Sequence, residues 1–270
     1  MATQAEKLTG SASVQGKLWG AQARGWAELM EQTALPLQGA VLDAARVTRG
    51  TRVLDAGCGA GIAAVLASLR GATVSAVDAS AELVAITRQR APGIEVQRAD
   101  LESLPFEDST FDSTIAINSV FYAQNPIAAV SELARVTRPG GRIVVTTWGP
   151  EERCEYAAAI AALGSLMPPP PSGSKPGGPF ALAAPGALEG VLKEAGLHPV
   201  DRDEVLCPFV FPNSETSLHG QISSGVAQRA AEHSGLDALR AALEEVDARF
   251  TQPDGSIRYD NIFVWVAAVR

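Results

Sequence analysis

The sequence is poor in cysteine and histidine, with three of each among 270 residues. Cys58, Cys154 and Cys207 share no close spacing, so they predict neither a disulfide framework nor a zinc site. The histidines are scattered through the C-terminal third, so no metal site is expected. Long apolar runs are also missing: the run 262–269 falls far below the roughly 18 residues that a membrane-spanning helix needs.

Basic residues are scarce as well. The 22 Lys and Arg against 30 Asp and Glu leave a net charge of −8. Nucleic acid is not an expected partner, because a protein that binds it is expected to carry an excess of positive charge. The polar segment after Met1 has no apolar signal-peptide core, and the expected location is the cytoplasm. Hydrophobic residues make up 46% and charged residues 19%, a globular balance that excludes global disorder.

Between residues 50 and 150, strand patterns alternate with helix patterns, which predicts right-handed βαβ units and a parallel sheet. The predicted elements are, in chain order, a strand at 53–55, a helix at 60–69, a strand at 73–77, a helix at 80–90, strands at 94–99 and 112–118, a helix at 126–137 and a strand at 142–148.

Outside this core the pattern is mostly helical. Residues 1–16 are polar and small and predict a frayed end, whereas 26–47 has helical periodicity with a break or helix start at Pro36. The Pro/Gly/Ser-rich segment 167–179 is either a solvated connector or an active-site lid. The remaining predicted elements are a helix at 185–195, a strand at 204–211, helices within 214–232 and 235–249, and a strand at 257–269.

The strongest signal is the glycine loop of Gly57, Gly59 and Gly61, which follows a strand and opens a helix. Glycine permits positive φ and lets the backbone approach a ligand closely. Asp78 ends the second strand, where a carboxylate can accept two hydrogen bonds from a ribose diol. Together these features predict a nucleoside-cofactor site.

The spacing argues against a dinucleotide. Its fingerprint places a third glycine three positions after the second, where this sequence has Ile62. Asp55, two residues before the first glycine, would repel a pyrophosphate but would suit a cationic group such as an amino acid ammonium. S-adenosylmethionine carries both a ribose and a cationic amino acid, and is the expected cofactor.

Four motifs in order resemble the class I S-adenosylmethionine-dependent methyltransferases, in the small-molecule branch that includes the ubiquinone/menaquinone-type enzymes. They are 54–61, 99–106, 109–112 and 134–141, and the similarity is strong over about 50–150. The resemblance implies an α/β fold: a Rossmann-like seven-stranded sheet, mostly parallel with an antiparallel C-terminal strand, helices on both faces, and a helical cap.

We expect a single methyltransferase domain over 1–270. Its expected parts are an N-terminal helical segment at 18–48, a cofactor-binding core at 50–150, an acceptor-side cap with later sheet elements at 151–256, and a final strand at 257–270.

The resemblance also implies cofactor contacts: the methionine part over Gly57 and Gly59, the ribose on Asp78, and the adenine at Asp100 and Leu101. Asn118 matches the position near the transferring methyl, although the histidine that many relatives carry just after it is absent. The structural alternatives are strand-end or turn roles for Asp100 and Asn118, and a small turn-filling side chain for Cys58. The expected cofactor-binding set is Asp55, Gly57, Cys58, Gly59, Asp78, Ala79, Asp100, Leu101, Asn118, Ser119, Trp19 and Arg24.

The expected function is in-line transfer of a methyl group to an O, N or C atom of a small-molecule acceptor. The acceptor is expected to be apolar or aromatic, and the protein a monomer or homodimer. Candidate catalytic residues are His233, Tyr122 and His219, against the alternatives of surface histidines and a core tyrosine; no metal is expected. The other hypotheses are a non-catalytic or regulatory S-adenosylmethionine-binding protein and an NAD-dependent oxidoreductase.

Overall fold

The computed structural model describes residues 8–169 and 178–270. Nine strands occur in this part of the chain: β1 Arg52–Ala56, β2 Thr73–Asp78, β3 Glu95–Arg98, β4 Phe111–Ala116, β5 Thr137–Trp148, β6 His198–Leu206, β7 Phe209–Phe211, β8 Ile257–Tyr259 and β9 Ile262–Val269. Seven of them form one sheet in the order β3-β2-β1-β4-β5-β9-β6, and β7 pairs with β8 in a small second sheet.

The main sheet is parallel from β3 to β5. Strand β9 is antiparallel to both of its neighbours, β5 and β6. This arrangement confirms the expected fold, a mostly parallel Rossmann-like sheet with an antiparallel C-terminal strand. Residues 53–56 of β1 are all buried, as expected of a central strand covered on both faces.

Eleven helices occur in the described residues. They are α1 Gly10–Gly20, the single turn α2 Ala23–Gly25, α3 Leu35–Ala44, α4 Ile62–Leu69, α5 Ala81–Arg90, α6 Pro126–Val136, α7 Ala157–Ser165, α8 Ala187–Glu194, α9 Ser214–Ile222, α10 Gly225–Ser234 and α11 Leu236–Ala248. Short helical turns at Trp26–Met30, Glu31–Ala34, Val120–Tyr122 and Glu151–Arg153 complete the helical structure. No helix in the described part of the chain reaches the length and apolarity needed to cross a bilayer.

The sheet changes direction between β1 and β4. The path β1-α4-β2-α5-β3 runs toward one edge, and β4-α6-β5 runs toward the other. Right-handed crossovers therefore place α4 and α5 on one face and α6 on the opposite face. A cleft opens at the carboxyl ends of the strands at such a switch point, which is where open α/β sheets bind ligands.

Helices from both ends of the chain cover this edge of the sheet. Helix α1 packs on α10, the turn Trp26–Met30 packs on α9, and α11 packs on α7 and α9. The N-terminal and C-terminal segments thus form one helical cap. The two segments are far apart in the sequence, so the cap forms only when the chain is folded.

The structure differs from the sequence-based boundaries in four places. The segment expected to be frayed, 1–16, contributes to α1, in which Ala12 and Leu18 are buried. The strand expected at 204–211 is interrupted after Leu206, and the final strand expected at 257–270 is interrupted at Asp260 and Asn261. Three helices rather than two fill residues 214–248. The proposed lid, 167–179, lies mostly outside the described residues.

Candidate functional site

A cavity of about 200 Å³ lies at the switch point of the sheet. Its walls come from the ends of β1, β2, β4 and β5, from the N-terminal and C-terminal segments of the cap, and from β7 and β9. Eleven residues that the sequence singled out line it: Trp19, Asp55, Gly57, Cys58, Gly59, Asp78, Ala79, Leu101, Asn118, Ser119 and Tyr122. Chain positions that are up to about one hundred residues apart are therefore brought to one place.

The glycine loop has a backbone that other residues rarely adopt. Gly57, Gly59 and Gly61 have φ values of 81°, 56° and 91°. The N–H groups of Gly57 and Cys58 donate to the Val77 carbonyl at 2.8 and 2.9 Å, which fixes the loop to β2. A Cβ on Gly57 would overlap the Ser119 side chain, so the loop tolerates no side chain at this position.

Asp78 connects the end of β2 to this loop. Its Oδ2 accepts a hydrogen bond from the Gly59 N–H at 2.9 Å, and its Oδ1 accepts one from the Ser80 N–H at 2.8 Å. Burial raises the pKa of Asp78 to about 6, although these backbone donors lower it. A carboxylate has about four lone-pair positions, so Asp78, which lines the cavity, keeps acceptor capacity beyond these two hydrogen bonds.

Asp55 is the least satisfied acid of the site. It is 2% exposed, and its Oδ2 has no hydrogen-bond partner among the described residues. Burial raises the pKa of Asp55 to about 7, and the negative charges of Glu31 and Asp78 raise it further. An unpartnered buried carboxylate oxygen is costly, so this atom marks a position for a donor or a cation.

Glu31 is a site residue that the sequence analysis missed. It lines the cavity, is 6% exposed, and accepts a hydrogen bond from Arg90 Nη1 at 2.5 Å. The same guanidinium donates to the carbonyls of Ala60 and Ala27 at 2.9 and 2.6 Å. Burial raises the pKa of Glu31 even though Arg90 lowers it. Arg90 therefore ties the N-terminal cap to the glycine loop through a partly buried ion pair with Glu31 and its hydrogen bonds to Ala27 and Ala60.

Asn118 holds a strained backbone at the end of β4. Its φ is 52°, which is uncommon for a residue other than glycine. The Asn118 N–H donates to Thr146 Oγ1 at 2.9 Å, and that hydroxyl donates back to Asn118 Oδ1 at 2.8 Å. Ser119 follows, and its hydroxyl donates to the Ala56 carbonyl at 2.8 Å. Strain held in this way is typical of functional positions.

Aromatic side chains line the opening and the inner end of the cavity. At the opening, Trp19 lies edge-on to Trp26 and Tyr122, with ring centroids 4.6 and 5.5 Å apart. Burial raises the pKa of Tyr122 far above its ordinary value. The phenol therefore stays protonated at neutral pH, which does not suit the role of general base.

Four residues expected at the site lie outside the cavity lining. His219, His233 and Arg24 are exposed on the surface of the cap. Asp100 is half-buried, and its Oδ1 accepts a hydrogen bond from the Glu102 N–H at 2.9 Å within a turn.

Cys58 lines the cavity, but burial holds the pKa of its thiol well above the ordinary value. Within residues 8–169 and 178–270, no cluster of three His, Cys, Asp or Glu side chains is placed to hold a metal ion.

Comparisons with known proteins agree with this geometry. Residues 54–145 match a family model described as a methyltransferase domain. An uncharacterized protein of Mycobacterium tuberculosis strain H37Rv is 37% identical over 127 residues, 46% of each chain. O-methyltransferase cnsE of Penicillium expansum is 28% identical over 207 residues, which cover 72% of this chain and 71% of the relative. The chain spans about half the length of the first mycobacterial relatives it matches.

Solved structures share the fold at low sequence identity. The [4+2]-cyclase SpnF has a TM-score of 0.63 at 20% identity, with 99% of each chain covered. A geranyl diphosphate methyltransferase in complex with S-adenosylmethionine has a TM-score of 0.54 at 22% identity, covering 93% of this chain and 90% of the other. The family match at 54–145 contains the glycine loop that lines the cavity, so this part of the chain is similar to a methyltransferase domain, and the whole chain shares its fold with S-adenosylmethionine-dependent methyltransferases.

Proposed function

We propose that the protein transfers a methyl group from S-adenosylmethionine to a small-molecule acceptor in the cavity at the switch point. The observation that carries the proposal is the buried Asp55 carboxylate, which has an unpartnered oxygen and lies beside a glycine loop in which a Cβ on Gly57 would overlap Ser119. The carboxylates of the site fit S-adenosylmethionine, because the cofactor carries an ammonium group and ribose hydroxyl groups that can donate to them. When bound, S-adenosylmethionine supplies an activated methyl group on a positively charged sulfur.

Asp55 would hold the cationic amino acid end. Its Oδ2 is free to accept a charge-assisted hydrogen bond from an ammonium, a bond about twice as strong as a neutral one. Glu31 lies in the same wall and adds a second negative charge. The backbone of Gly57 and Gly59 would lie against the methionine part, since neither carries a Cβ.

Asp78 would hold the ribose and Leu101 the adenine. The two backbone hydrogen bonds to Asp78 fix the orientation of its carboxylate, so its remaining lone pairs are directed in advance toward a diol. Leu101 and Ala79 supply the apolar surface at this end of the cavity. Asp100 lies outside the lining, so we assign it no direct contact with the cofactor.

Positioning would carry most of the catalysis. The ionisable side chains that the described lining contributes are acids, a thiol and phenols, and the pKa values of Tyr122 and Tyr156 are raised. A phenol with a raised pKa is a poor base near neutral pH. Holding an acceptor in line with a reactive group is worth on the order of 7–11 kcal/mol in favourable cases, and the rigid Asn118–Thr146 pair would fix this geometry.

Incubation with S-adenosylmethionine and a panel of phenolic, amine and polyketide-like acceptors tests the proposal. Mass spectrometry should detect a product heavier by one CH₂ together with an equal amount of S-adenosylhomocysteine. Asp78→Ala should abolish both signals, whereas Asp43→Asn, a change at an exposed residue of α3, should leave them unchanged. Cofactor binding without any product across the panel would contradict methyl transfer and favour the non-catalytic alternative.

A further inference from the structure

The inner end of the cavity is built from aromatic side chains. Trp148 ends β5, and its ring centroid lies 4.5 Å from that of Phe263, 5.9 Å from that of Phe209 and 6.0 Å from that of Tyr156. All four residues line the cavity, and each is at most 8% exposed. Because aromatic rings pack favourably at such separations, these four residues form a stable apolar wall that we call the aromatic wall.

One polar atom interrupts this wall. Tyr156 is 2% exposed, and its hydroxyl has no hydrogen-bond partner among the described residues. Leaving a buried hydroxyl unpaired costs about 1–3 kcal/mol, so this atom needs an explanation. Asp55 and Gln38 are the other lining residues with a buried unpartnered oxygen. Asp55 is accounted for by the cofactor, and Tyr156 lies in the aromatic wall.

The hydroxyl of Tyr156 is suited to donating. Burial raises the pKa of Tyr156 far above its ordinary value, and the negative charge of Asp247 raises it further. The group therefore keeps its proton throughout the neutral range. Its ring is fixed by Tyr259, which lies edge-on at 5.3 Å, and by Phe209, also at 5.3 Å. A fixed donor beside an apolar wall is suited to recognising a ligand oxygen.

The charges of the cavity restrict the ligand further. Glu31, Asp55 and Asp78 are acids, and the described lining contributes no lysine, arginine or histidine. An anionic acceptor would meet like charge in a site of low dielectric, where repulsion is strong. A neutral acceptor pays no such cost.

We propose that the aromatic wall binds a neutral aromatic acceptor that carries an oxygen substituent, and that the Tyr156 hydroxyl recognises this oxygen as a specificity-determining donor. The inference rests on the proposed function, since the ligand is the methyl acceptor of the same cavity.

Three probes of similar ring size test the inference: 2-naphthol, naphthalene and 2-naphthoate. Each is titrated against the full-length protein, with and without saturating S-adenosylhomocysteine, and binding is followed by tryptophan fluorescence. We expect 2-naphthol to bind most tightly and 2-naphthoate at least about tenfold more weakly. Tyr156→Phe should weaken 2-naphthol about 3- to 10-fold, the worth of one neutral hydrogen bond, and leave naphthalene unchanged.

Tyr259→Phe is the matched control, because it keeps the ring that packs edge-on against Tyr156 and removes only a buried hydroxyl, which donates to Asp247 and does not line the cavity. It should alter the affinity for neither neutral probe. The inference would be overturned if Tyr156→Phe weakened naphthalene and 2-naphthol equally, or weakened neither. It would also be overturned if 2-naphthoate bound tightly or if no probe bound. Loss of S-adenosylhomocysteine binding alone would instead contradict the proposed function, since the probes are also titrated without it.

Discussion

Replacing Asp55 with asparagine should stabilise the ligand-free protein at pH 8 and weaken its cofactor binding. Asp55 is fully buried, and its pKa is raised from 3.8 to about 7. In the unfolded chain the carboxyl group ionises near its ordinary pKa, whereas in the folded chain ionisation is opposed by burial and by two neighbouring acids. The folded form thus binds a proton more tightly, and stability is lost as the pH rises through about 7.

The size of the effect follows from the shift. About three pKa units at about 1.4 kcal/mol each give a penalty on the order of 4 kcal/mol at pH 8. The penalty falls to about 2 kcal/mol at pH 5 and vanishes only below about pH 3, where the folded and unfolded forms are both protonated. Asparagine has a similar shape but does not ionise, so Asp55→Asn should gain up to this amount in the free energy of unfolding.

Urea denaturation at pH 5 and pH 8 measures the stability change, with Asp43→Asn as the control. Asp43 is exposed and pairs with Arg70, so its replacement should change stability by less than about 1 kcal/mol at either pH. Calorimetry with S-adenosylhomocysteine should show Asp55→Asn binding about 10- to 100-fold more weakly, the worth of a hydrogen bond to a charged group. A stability difference that is the same at both pH values would refute the burial argument, and an unchanged affinity would refute the ammonium assignment.

Further outcomes follow from the same geometry. Affinity for S-adenosylhomocysteine should fall as the pH drops from 8 to 5, because Asp55 and Asp78 take up protons with pKa values of about 7 and about 6; a flat calorimetric profile would contradict this. Gly57→Ala should cost more than about 1 kcal/mol in urea denaturation, since the φ of 81° and the Ser119 side chain both exclude a Cβ; a neutral effect would show that the loop can relax. Tyr259→Phe should cost about 2 kcal/mol in the same assay, because it removes a buried donor to an acid, and an unchanged midpoint would count against that hydrogen bond.

The part of the cavity around the glycine loop could be predicted from the sequence because its signals are local. Gly57, Gly59 and Asp55 lie within five positions, and their residue types are dictated by positive φ and by charge. Asp78 ends the neighbouring strand, so the parallel pairing of β1 and β2 brings it beside the loop. The alternation of strands and helices could be predicted as well, because hydrophobic periodicity is also a local signal.

The cap could not be predicted in the same way, because its contacts are not local. Glu31 and Arg90 are 59 positions apart, and nothing near either residue indicates their pairing. Helix α1 was missed because its glycine- and serine-rich composition resembles a loop. In the folded chain Gly16 is needed there, since a Cβ would overlap the Ala79 carbonyl.

The positions of the candidate catalytic residues also depend on contacts that are not local in the sequence. His219 and His233 lie in predicted helices, but periodicity does not show which helix face meets the cavity, and both are exposed. Tyr156 belongs to no sequence motif. Its position depends on the end of β5 and on the small β7–β8 sheet that holds Phe209 and Tyr259.

Calorimetric titration of the full-length protein with S-adenosylhomocysteine tests the central claim most directly, with NAD as the comparison ligand. We expect saturable binding of one S-adenosylhomocysteine per chain, no measurable heat with NAD, and loss of at least about tenfold in affinity in Asp78→Ala, which removes the proposed acceptor for the ribose. Binding of NAD but not of S-adenosylhomocysteine, or an Asp78→Ala variant that binds as tightly as the original protein, would contradict the assignment of this cavity.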